Sequence, residues 1–218
     1  SSINAIAYRP SDDVLAVGTD SRGVYMYHRK NIDTYIPSVQ GSLRNNAYYA
    51  QCLIDNKTIL TGVGFILDLK TFNAKGSLSK RINDYLLARD IDGQLYFTRG
   101  KNLTRYDPIS KKEFIIPNAE EFTTHCITLI HDTIWIGTNL GAGQIIGDSI
   151  QWVYKNKFPN DHYGIKSICK DGQGNLWLGS YFQLYRFSPS AGQTDSFPLL
   201  QNMDIRDIQL IRNKIFIG

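Results

Sequence analysis

The side chains best suited to metal chemistry in this chain are four histidines. They are His28, His125, His131 and His162. Structural zinc sites typically combine two closely spaced pairs of ligands, and although five residues separate His125 from His131, no second pair of similar spacing accompanies them. Surface or turn positions therefore account for them, and the sequence predicts neither a metal site nor a catalytic centre nor a cofactor.

Three cysteines could support redox or metal chemistry, but their number and spacing argue against both. Cys52, Cys126 and Cys169 form an odd set without a CxxC pair, so neither a disulfide framework nor a zinc site is predicted. Each precedes a glycine by about ten residues and occupies the same strand of its repeat. Cysteine in such a position behaves as a small buried hydrophobic residue.

Two further segments resemble ligand-binding loops only in part. Residues 141–147 are glycine-rich, but the spacing has one residue too many for a dinucleotide loop and no amphipathic helix follows. This pattern favours a hairpin. Residues 90–93 suggest a calcium loop, yet the twelfth position is Lys101, where a bidentate glutamate is required. A simple turn is the better interpretation.

A repeated strand unit organises the whole chain. In residues 170–180 a turn rich in Asp, Gly and Asn precedes the apolar run Leu176-Trp177-Leu178, which ends at Gly179. Glycine there either ends the strand or lets another backbone come close. Similar units place Gly18, Gly62, Thr98, Gly137, Gly179 and Gly218 at spacings of 44, 36, 39, 42 and 39 residues. A period near 40 built from strands is typical of propeller blades.

Each unit is predicted to contain four strands, and the fifth unit is the clearest. Its strands are expected at residues 165–170, 176–180, 183–187 and 195–199. The predicted fold is all-β: a β-propeller of four-stranded antiparallel blades, with five blades and the start of a sixth in one domain. The predicted blades are 4–40, 48–79, 84–117, 123–156, 164–200 and the incomplete 204–218. Because a propeller avoids exposed edges by closing into a ring, we expect further blades outside this chain, as part of a larger propeller.

Composition and charge narrow the possible partners. Lys and Arg exceed Asp and Glu by only four, and the basic residues are scattered, which argues against nucleic-acid binding. No apolar run approaches the roughly 18 residues needed to cross a bilayer, so no membrane segment is predicted within this chain.

Residues 165–189 resemble the two-component regulator propeller repeat. The resemblance rests on an inner strand with spaced isoleucines, the segment Asp171-x-x-Gly174-Asn175-Leu176-Trp177-Leu178-Gly179-Ser180, and the segment Leu184-x-Arg186-Phe187-x-Pro189. The fourth unit and the third strand of the third unit match parts of this pattern, whereas the first two units match weakly. The resemblance implies an extracytoplasmic, periplasmic region of an inner-membrane sensor histidine kinase, as in the hybrid sensors of Bacteroidetes. Many members of that family sense oligosaccharides, and the domain itself is not an enzyme.

The blade pattern sorts loops onto two faces, and the loops that follow second strands or enter new inner strands are polar and aromatic; this polar loop-face set includes Tyr181, Asp204 and Arg206. Binding residues concentrate in loops held by a rigid scaffold. Aromatic rings can stack on sugars, while polar side chains hydrogen-bond to hydroxyl groups. The predicted ligand-binding residues on this loop face are Tyr48, Tyr49, Arg99, His162, Tyr163 and Tyr181.

The function expected from the resemblance is non-catalytic sensing of an oligosaccharide. Ligand binding would favour one arrangement of a homodimer and pass a signal through a membrane helix to a kinase. One alternative is a polysaccharide lyase or glycosidase, which needs paired carboxylates or a base with a metal ion. Asp20 and Asp204 could both lie on the loop face, although the sequence marks no pair. Another alternative is a propeller that serves as a protein-interaction scaffold.

Overall fold

The apolar runs form antiparallel sheets whose strands are hydrogen-bonded in chain order in a computed structural model of the protein. The structure describes residues 3–9, 11, 13–19, 24–28, 31–35, 50–62, 64–71, 73–78, 86–118, 120–156, 164–181, 183–197, 204–211 and 214–218. Within these ranges there are five sheets of four strands and one sheet of two strands. This architecture confirms the predicted all-β propeller blades.

The strands have the following bounds. The first sheet contains β1 (Ile3–Arg9), β2 (Val14–Thr19), β3 (Val24–His28) and β4 (Asn31–Tyr35), and the second contains β5 (Gln51–Leu53), β6 (Thr58–Thr61), β7 (Phe65–Asp68) and β8 (Ala74–Ser77). The third contains β9 (Leu87–Arg89), β10 (Leu95–Arg99), β11 (Asn102–Asp107) and β12 (Lys112–Ile115), and the fourth contains β13 (Thr124–Ile130), β14 (Thr133–Thr138), β15 (Gly141–Ile146) and β16 (Ser149–Lys155). The fifth contains β17 (Ile165–Lys170), β18 (Leu176–Ser180), β19 (Leu184–Ser188) and β20 (Gln193–Ser196), and the sixth contains β21 (Ile208–Ile211) and β22 (Lys214–Ile217).

The chain divides into two compact units. The first comprises Ser1–Gly100 and Thr104–Phe114, and the second comprises Lys101–Leu103 and Ile115–Gly218. The prediction that the whole chain is a single domain stays a prediction. The first sheet begins at Ile3, one residue before its predicted blade, and each of the other described sheets lies within the bounds of one predicted blade.

In the first unit the core lies between successive sheets. Val14 and Met26 of the first sheet pack with Ile59 of the second in one buried cluster. Leu60 and Phe97, both without exposed surface, belong to a second cluster between the second and third sheets. Alternate residues of each strand point to opposite faces of the sheet, so each middle sheet contributes side chains to two neighbouring cores.

The second unit is built in the same way. Trp135 and Ala142 of the fourth sheet pack with Ile165 and Leu178 of the fifth. A further cluster joins the fifth and sixth sheets around Ile205 and Ile208. These cores fix the spacing of the fourth, fifth and sixth sheets, and this spacing positions the candidate sites described below.

The repeated glycine is required because a backbone passes against it. A Cβ atom built on Gly137 would lie 3.0 Å from the carbonyl carbon of Ile165, still closer to its carbonyl oxygen, and 2.6 Å from Cys126 Sγ. At Gly179 a Cβ atom would lie 3.0 Å from the carbonyl oxygen of Ile205. Ile165 begins the first strand of the next sheet and Ile205 lies just before β21. Of the two reasons the sequence offered for this glycine, close approach of another backbone is therefore the correct one.

The residue after this glycine fixes the next loop through its hydroxyl group. Thr138 Oγ1 donates to the carbonyl oxygen of Gly141 at 3.1 Å and accepts from the Gly141 backbone N–H at 3.2 Å. Ser180 Oγ makes the equivalent pair of bonds with Gln183, at 3.0 and 3.1 Å. Both hydroxyl-bearing residues are fully buried, so these bonds satisfy groups that water cannot reach.

The same pair of hydrogen bonds to one hydroxyl group, here called a hydroxyl clamp, corrects the proposed alignment of the second repeat, whose predicted blade is 48–79. Thr61 Oγ1 donates to the Phe65 carbonyl at 3.2 Å and accepts from the Phe65 N–H at 3.1 Å. Thr61 is thus the equivalent of Thr138, and Leu60 stands where the fourth sheet has Gly137. The alignment that used Gly62 as the repeated glycine is wrong by two positions, because Gly62 follows the clamping residue instead of preceding it.

An aspartate organises the first turn of the fifth sheet. Asp171 Oδ1 accepts from the backbone N–H groups of Gln173 and Asn175, both at 2.9 Å, and Asp171 Oδ2 accepts from Trp177 Nε1 at 2.9 Å. Burial alone would raise the pKa of Asp171, but these hydrogen bonds outweigh it and hold the pKa below its usual value. The turn predicted between the first two strands is present, and its carboxylate is structural.

The segments that resembled ligand loops belong to ordinary sheet structure. Residues 141–146 form β15, which pairs with both β14 and β16, and Gly147 has a φ of 60° in the turn that follows. Asp90 Oδ1 accepts the Gln94 N–H at 2.8 Å, as expected for a turn. Both segments therefore have the hairpin and turn structures that the sequence favoured.

Candidate functional site

Four of the six predicted ligand-binding residues lie outside the described residues. These are Tyr48, Tyr49, His162 and Tyr163. Their assignment to a ligand site stays a prediction. The remaining two, Arg99 and Tyr181, belong to different units, and each is described in its own surroundings.

Arg99 lies at the end of β10 and is held within the third sheet. Its guanidinium forms an ion pair with Glu113 of β12, and Nη2 donates to Glu113 Oε1 at 3.2 Å. The guanidinium carbon also lies 5.5 Å from the centre of the Phe97 ring. About a quarter of the Arg99 side chain is exposed. The arginine thus ties two strands together, and its predicted contact with a ligand remains untested.

Tyr181 follows β18 and lies in a cluster of charged side chains. Its side chain is 41% exposed, and Lys166 Nζ lies 4.0 Å from the centre of its ring. Lys166 Nζ also donates to Asp204 Oδ1 at 3.0 Å, and Arg206 Nε donates to Asp204 Oδ2 at 2.7 Å. We call Lys166, Tyr181, Asp204 and Arg206 the loop-face cluster. It places an aromatic surface beside hydrogen-bonding groups of both charges.

The charges of the loop-face cluster are mutually stabilised. Burial would raise the pKa of Asp204, but hydrogen bonds from Arg206 and Lys166 outweigh it and lower that pKa. The same hydrogen bond from Arg206 to Asp204 raises the pKa of Arg206. At neutral pH the cluster therefore contains two cations and one carboxylate. Because 76% of the Arg206 side chain is exposed, its guanidinium can meet a ligand from solvent.

Sequence reasoning identified most of this cluster but missed Lys166. The polar loop-face set included Tyr181, Asp204 and Arg206. Lys166 was missed because it lies within the inner strand β17, between the buried residues Ile165 and Ser167. A lysine between buried residues of an inner strand is the signal that could have marked it, since such a side chain needs a nearby acidic partner.

A second concave surface lies between the fourth and fifth sheets. This side groove has a volume of about 520 Å³ and is lined by Val153, Tyr154, Lys155, Asn156, Gln183, Tyr185, Phe187, Gly192, Thr194 and Ser196. The sequence did not indicate it, because the lining comes from outer strands of two successive sheets and its shape depends on how these sheets pack.

Neither a group of metal ligands nor a carboxylate paired with Asp204 is found among the described residues. Asp20 lies outside them, so a pairing with Asp204 is untested, and the Asp204 carboxylate pairs with two cations. Within the described ranges, no group of three or more His, Cys, Asp and Glu residues is placed to hold a metal ion. Cys52, Cys126 and Cys169 form no disulfide with one another. Burial raises the pKa of Cys52 to about 11 and that of Cys126 to about 12, and both thiols are therefore protonated at neutral pH.

Within the part of the chain that the structure describes, no helix is both long and apolar enough to cross a bilayer.

One repeat of the chain matches a known protein family. Residues 158–182 match the family described as the two-component regulator propeller. The matched segment contains β17, the Asp171 turn, β18 and Tyr181. The family resemblance of the fifth unit is thereby confirmed. No curated protein matches the chain.

Solved structures share the fold over nearly the whole chain. The extracellular domain of a protein described as a hybrid two-component system from B. thetaiotaomicron matches with a TM-score of 0.79 and 18% identity, over 100% of this chain and 30% of that one. A second such domain from the same organism matches with a TM-score of 0.59 and 17% identity, over 100% of this chain and 38% of that one. The chain thus spans about a third of the length of these domains.

An enzyme structure is also similar to this chain. A catalytically inactive virginiamycin B lyase from Staphylococcus aureus, solved with quinupristin, matches with a TM-score of 0.69 and 16% identity. The match covers 97% of this chain and 82% of the lyase. At these levels of identity the structural matches show the propeller fold, and this fold carries several functions.

Proposed function

We propose that this chain, which carries a two-component regulator propeller repeat at residues 158–182, is a non-catalytic ligand-sensing domain of a two-component sensor. The observation that carries the proposal is this repeat, which occurs in a propeller fold shared with extracellular domains of hybrid two-component systems. The corresponding location is the periplasm, where the domain would form part of an inner-membrane protein.

The proposed ligand is an oligosaccharide that binds at the loop face. The loop-face cluster supports this choice, since a partly exposed tyrosine ring can stack on a sugar. Neighbouring Arg206 and Asp204 can donate to and accept from sugar hydroxyl groups. Ligand contact by Tyr48, Tyr49, Arg99, His162 and Tyr163 is proposed for each of these residues by itself.

Sensing requires that the ligand distinguish two states of the protein. We propose that the oligosaccharide binds one arrangement of a homodimer more tightly and so shifts the population towards it.

Further blades of the same parent chain are part of this proposal. The outer face of β1, where Ile6 and Tyr8 are 63% and 52% exposed, is an apolar surface suited to packing against another blade.

Thermal melting of the full-length protein against a panel of oligosaccharides tests the proposal. A ligand present at 100 times its dissociation constant stabilises the folded state by about 2.7 kcal/mol. We expect a selective rise in Tm with one glycan, and a smaller rise in the Tyr181→Ala variant. Tyr27→Ala is the matched control, because Tyr27 is exposed to a similar extent, 47%, in the first sheet. An unchanged glycan response in Tyr181→Ala would refute the site assignment.

A second candidate function is enzymatic, because the propeller fold of this chain is shared with a virginiamycin B lyase and one fold can carry several functions. A carbohydrate lyase or glycosidase with this fold would degrade the glycan that it binds. Analysis of the glycan after the melting experiment therefore separates the two functions, since a sensor domain returns it intact.

A further inference from the structure

The fifth sheet presents one aromatic and hydroxyl-rich face beside its outer edge. In the pairing of β19 with β20, Tyr185 is opposite Ser196 and Phe187 is opposite Thr194. Directly opposed residues of antiparallel strands share a face of the sheet. The intervening Arg186 therefore points to the other face, where it forms an ion pair of 2.8 Å with Asp195.

The fourth sheet completes the side groove with a third aromatic ring. The Tyr154 ring centre lies 6.4 Å from that of Tyr185 and 5.4 Å from that of Phe187, with interplanar angles of 34° and 57°. All three side chains are only partly buried. Their packing fixes the rings in place while leaving part of each ring surface facing the groove.

The polar lining of the side groove is nearly uncharged. Asn156, Gln183 and Thr194 contribute amide and hydroxyl groups, and among the described residues that line the groove Lys155 is the one with a charge. Lys155 Nζ donates to Glu120 Oε1 at 3.4 Å, which offsets its charge. Burial raises the pKa of Tyr154 to about 12, so its hydroxyl group is neutral at physiological pH.

The aromatic rings and uncharged polar groups that line the side groove match the chemistry of a neutral sugar chain. Fixed aromatic surface suits the apolar C–H faces of sugar rings, and amide and hydroxyl groups can hydrogen-bond to sugar hydroxyls without requiring a charge on the ligand. A volume of about 520 Å³ falls within the range of about 300–1,000 Å³ typical of small-molecule sites. An acidic glycan would meet few positive charges in this lining that could offset its own negative charge.

We propose that the side groove is a second carbohydrate site, which binds a neutral oligosaccharide along the outer strands of the fourth and fifth sheets. The proposal rests on the proposed sensing of oligosaccharides and specifies where a neutral glycan binds. It is distinct from the loop-face cluster, whose residues do not line the groove.

Isothermal titration of the full-length protein tests the proposal with defined probes. The probes are neutral tetrasaccharides of glucose, xylose, mannose, galactose and fructose, together with a tetrasaccharide of galacturonate. Thr194→Arg places a long side chain in the groove, whereas Gln193→Arg places the same side chain on the opposite face of β20. We expect one neutral probe to bind, at least a tenfold loss of affinity in Thr194→Arg, and a change below twofold in Gln193→Arg.

Additional variants allow the groove proposal to be refuted even if Thr194→Arg does not fold. If Thr194→Arg does not fold, Gln183→Ala replaces it, and a severalfold loss of affinity for the neutral probe is expected. Unchanged affinity in the groove variants, together with weaker binding in Tyr181→Ala, would overturn the groove proposal while leaving the loop-face sensor intact. Binding of the galacturonate probe alone would also overturn the groove proposal but not the sensing function. If no probe binds, both the groove proposal and oligosaccharide sensing are contradicted.

Discussion

Replacing Gly137 with alanine tests how successive sheets of the second unit pack. The added methyl group would lie 2.6 Å from Cys126 Sγ and 3.0 Å from the carbonyl carbon of Ile165, whereas carbon atoms pack favourably at about 3.5–4.0 Å. The carbonyl belongs to a residue whose side chain is completely buried. The backbone there cannot move without disturbing the core between the fourth and fifth sheets.

Overpacking of this kind costs about 1–3 kcal/mol of unfolding free energy. The reduced flexibility of alanine in the unfolded chain offsets about 0.4–1 kcal/mol of that cost. For a chain of this size, each kcal/mol corresponds to about 2–4 °C in Tm. We therefore expect Gly137→Ala to lower Tm by several degrees in thermal denaturation followed by circular dichroism.

Two comparisons make the Gly137→Ala experiment specific. Gly172→Ala is the matched control, because a Cβ atom there would meet nothing within 4 Å; its stability should be unchanged or slightly higher. Adding Cys126→Ala to Gly137→Ala removes the sulfur contact but not the carbonyl contact, so rescue should be incomplete. A Tm for Gly137→Ala equal to that of Gly172→Ala would refute the argument that close backbone approach dictates the repeated glycine.

Three further predictions concern single side chains, each measured by urea denaturation. Asp171→Asn should cost about 1–3 kcal/mol of stability at pH 7, as expected for hydrogen bonds to a charged group. Because the folded pKa of Asp171 is lowered, its contribution is present above the unfolded pKa of about 3.9 and is lost as pH falls through the folded pKa, so wild type and variant should converge in acid. Thr138→Val removes the buried clamp on Gly141 and should cost about 1–3 kcal/mol, whereas Thr138→Ser should be near wild type. Asp195→Asn breaks an exposed ion pair with Arg186 and should change stability by less than about 1 kcal/mol; a larger loss would contradict the weak surface role assigned to this pair.

The sequence was sufficient to predict the repeated strands because their signals are local. The apolar runs, the Asp-Gly turns and the period near 40 residues predict the blades, and β17 and β18 have the predicted bounds. The outer strand of the fifth sheet begins at Gln193, two residues before the prediction. Gly192 has a φ of 63° and its N–H donates to the Ser188 carbonyl at 2.8 Å, which closes the turn early.

Features that depend on two sheets could not be predicted from local signals. The alignment of the second repeat failed because Gly62 and Gly137 have similar neighbours in the sequence. Only the hydrogen bonds of Thr61 reveal which residue is equivalent to Gly137. The role of Lys166 in the loop-face cluster depends on Asp204, which lies 38 residues away. The side groove depends on the packing of Tyr154 of β16 against Tyr185 and Phe187 of β19, and no motif marks it.

The central claim, that the domain binds a glycan without altering it, is tested most directly by equilibrium dialysis of the full-length protein with the oligosaccharide panel. The glycan recovered from the protein compartment is then analysed by chromatography and mass spectrometry. The account predicts that one glycan accumulates with the protein and is recovered at its original length and composition. Recovery of shortened or unsaturated products would contradict it and favour a lyase or glycosidase, and no accumulation of any glycan would contradict oligosaccharide sensing.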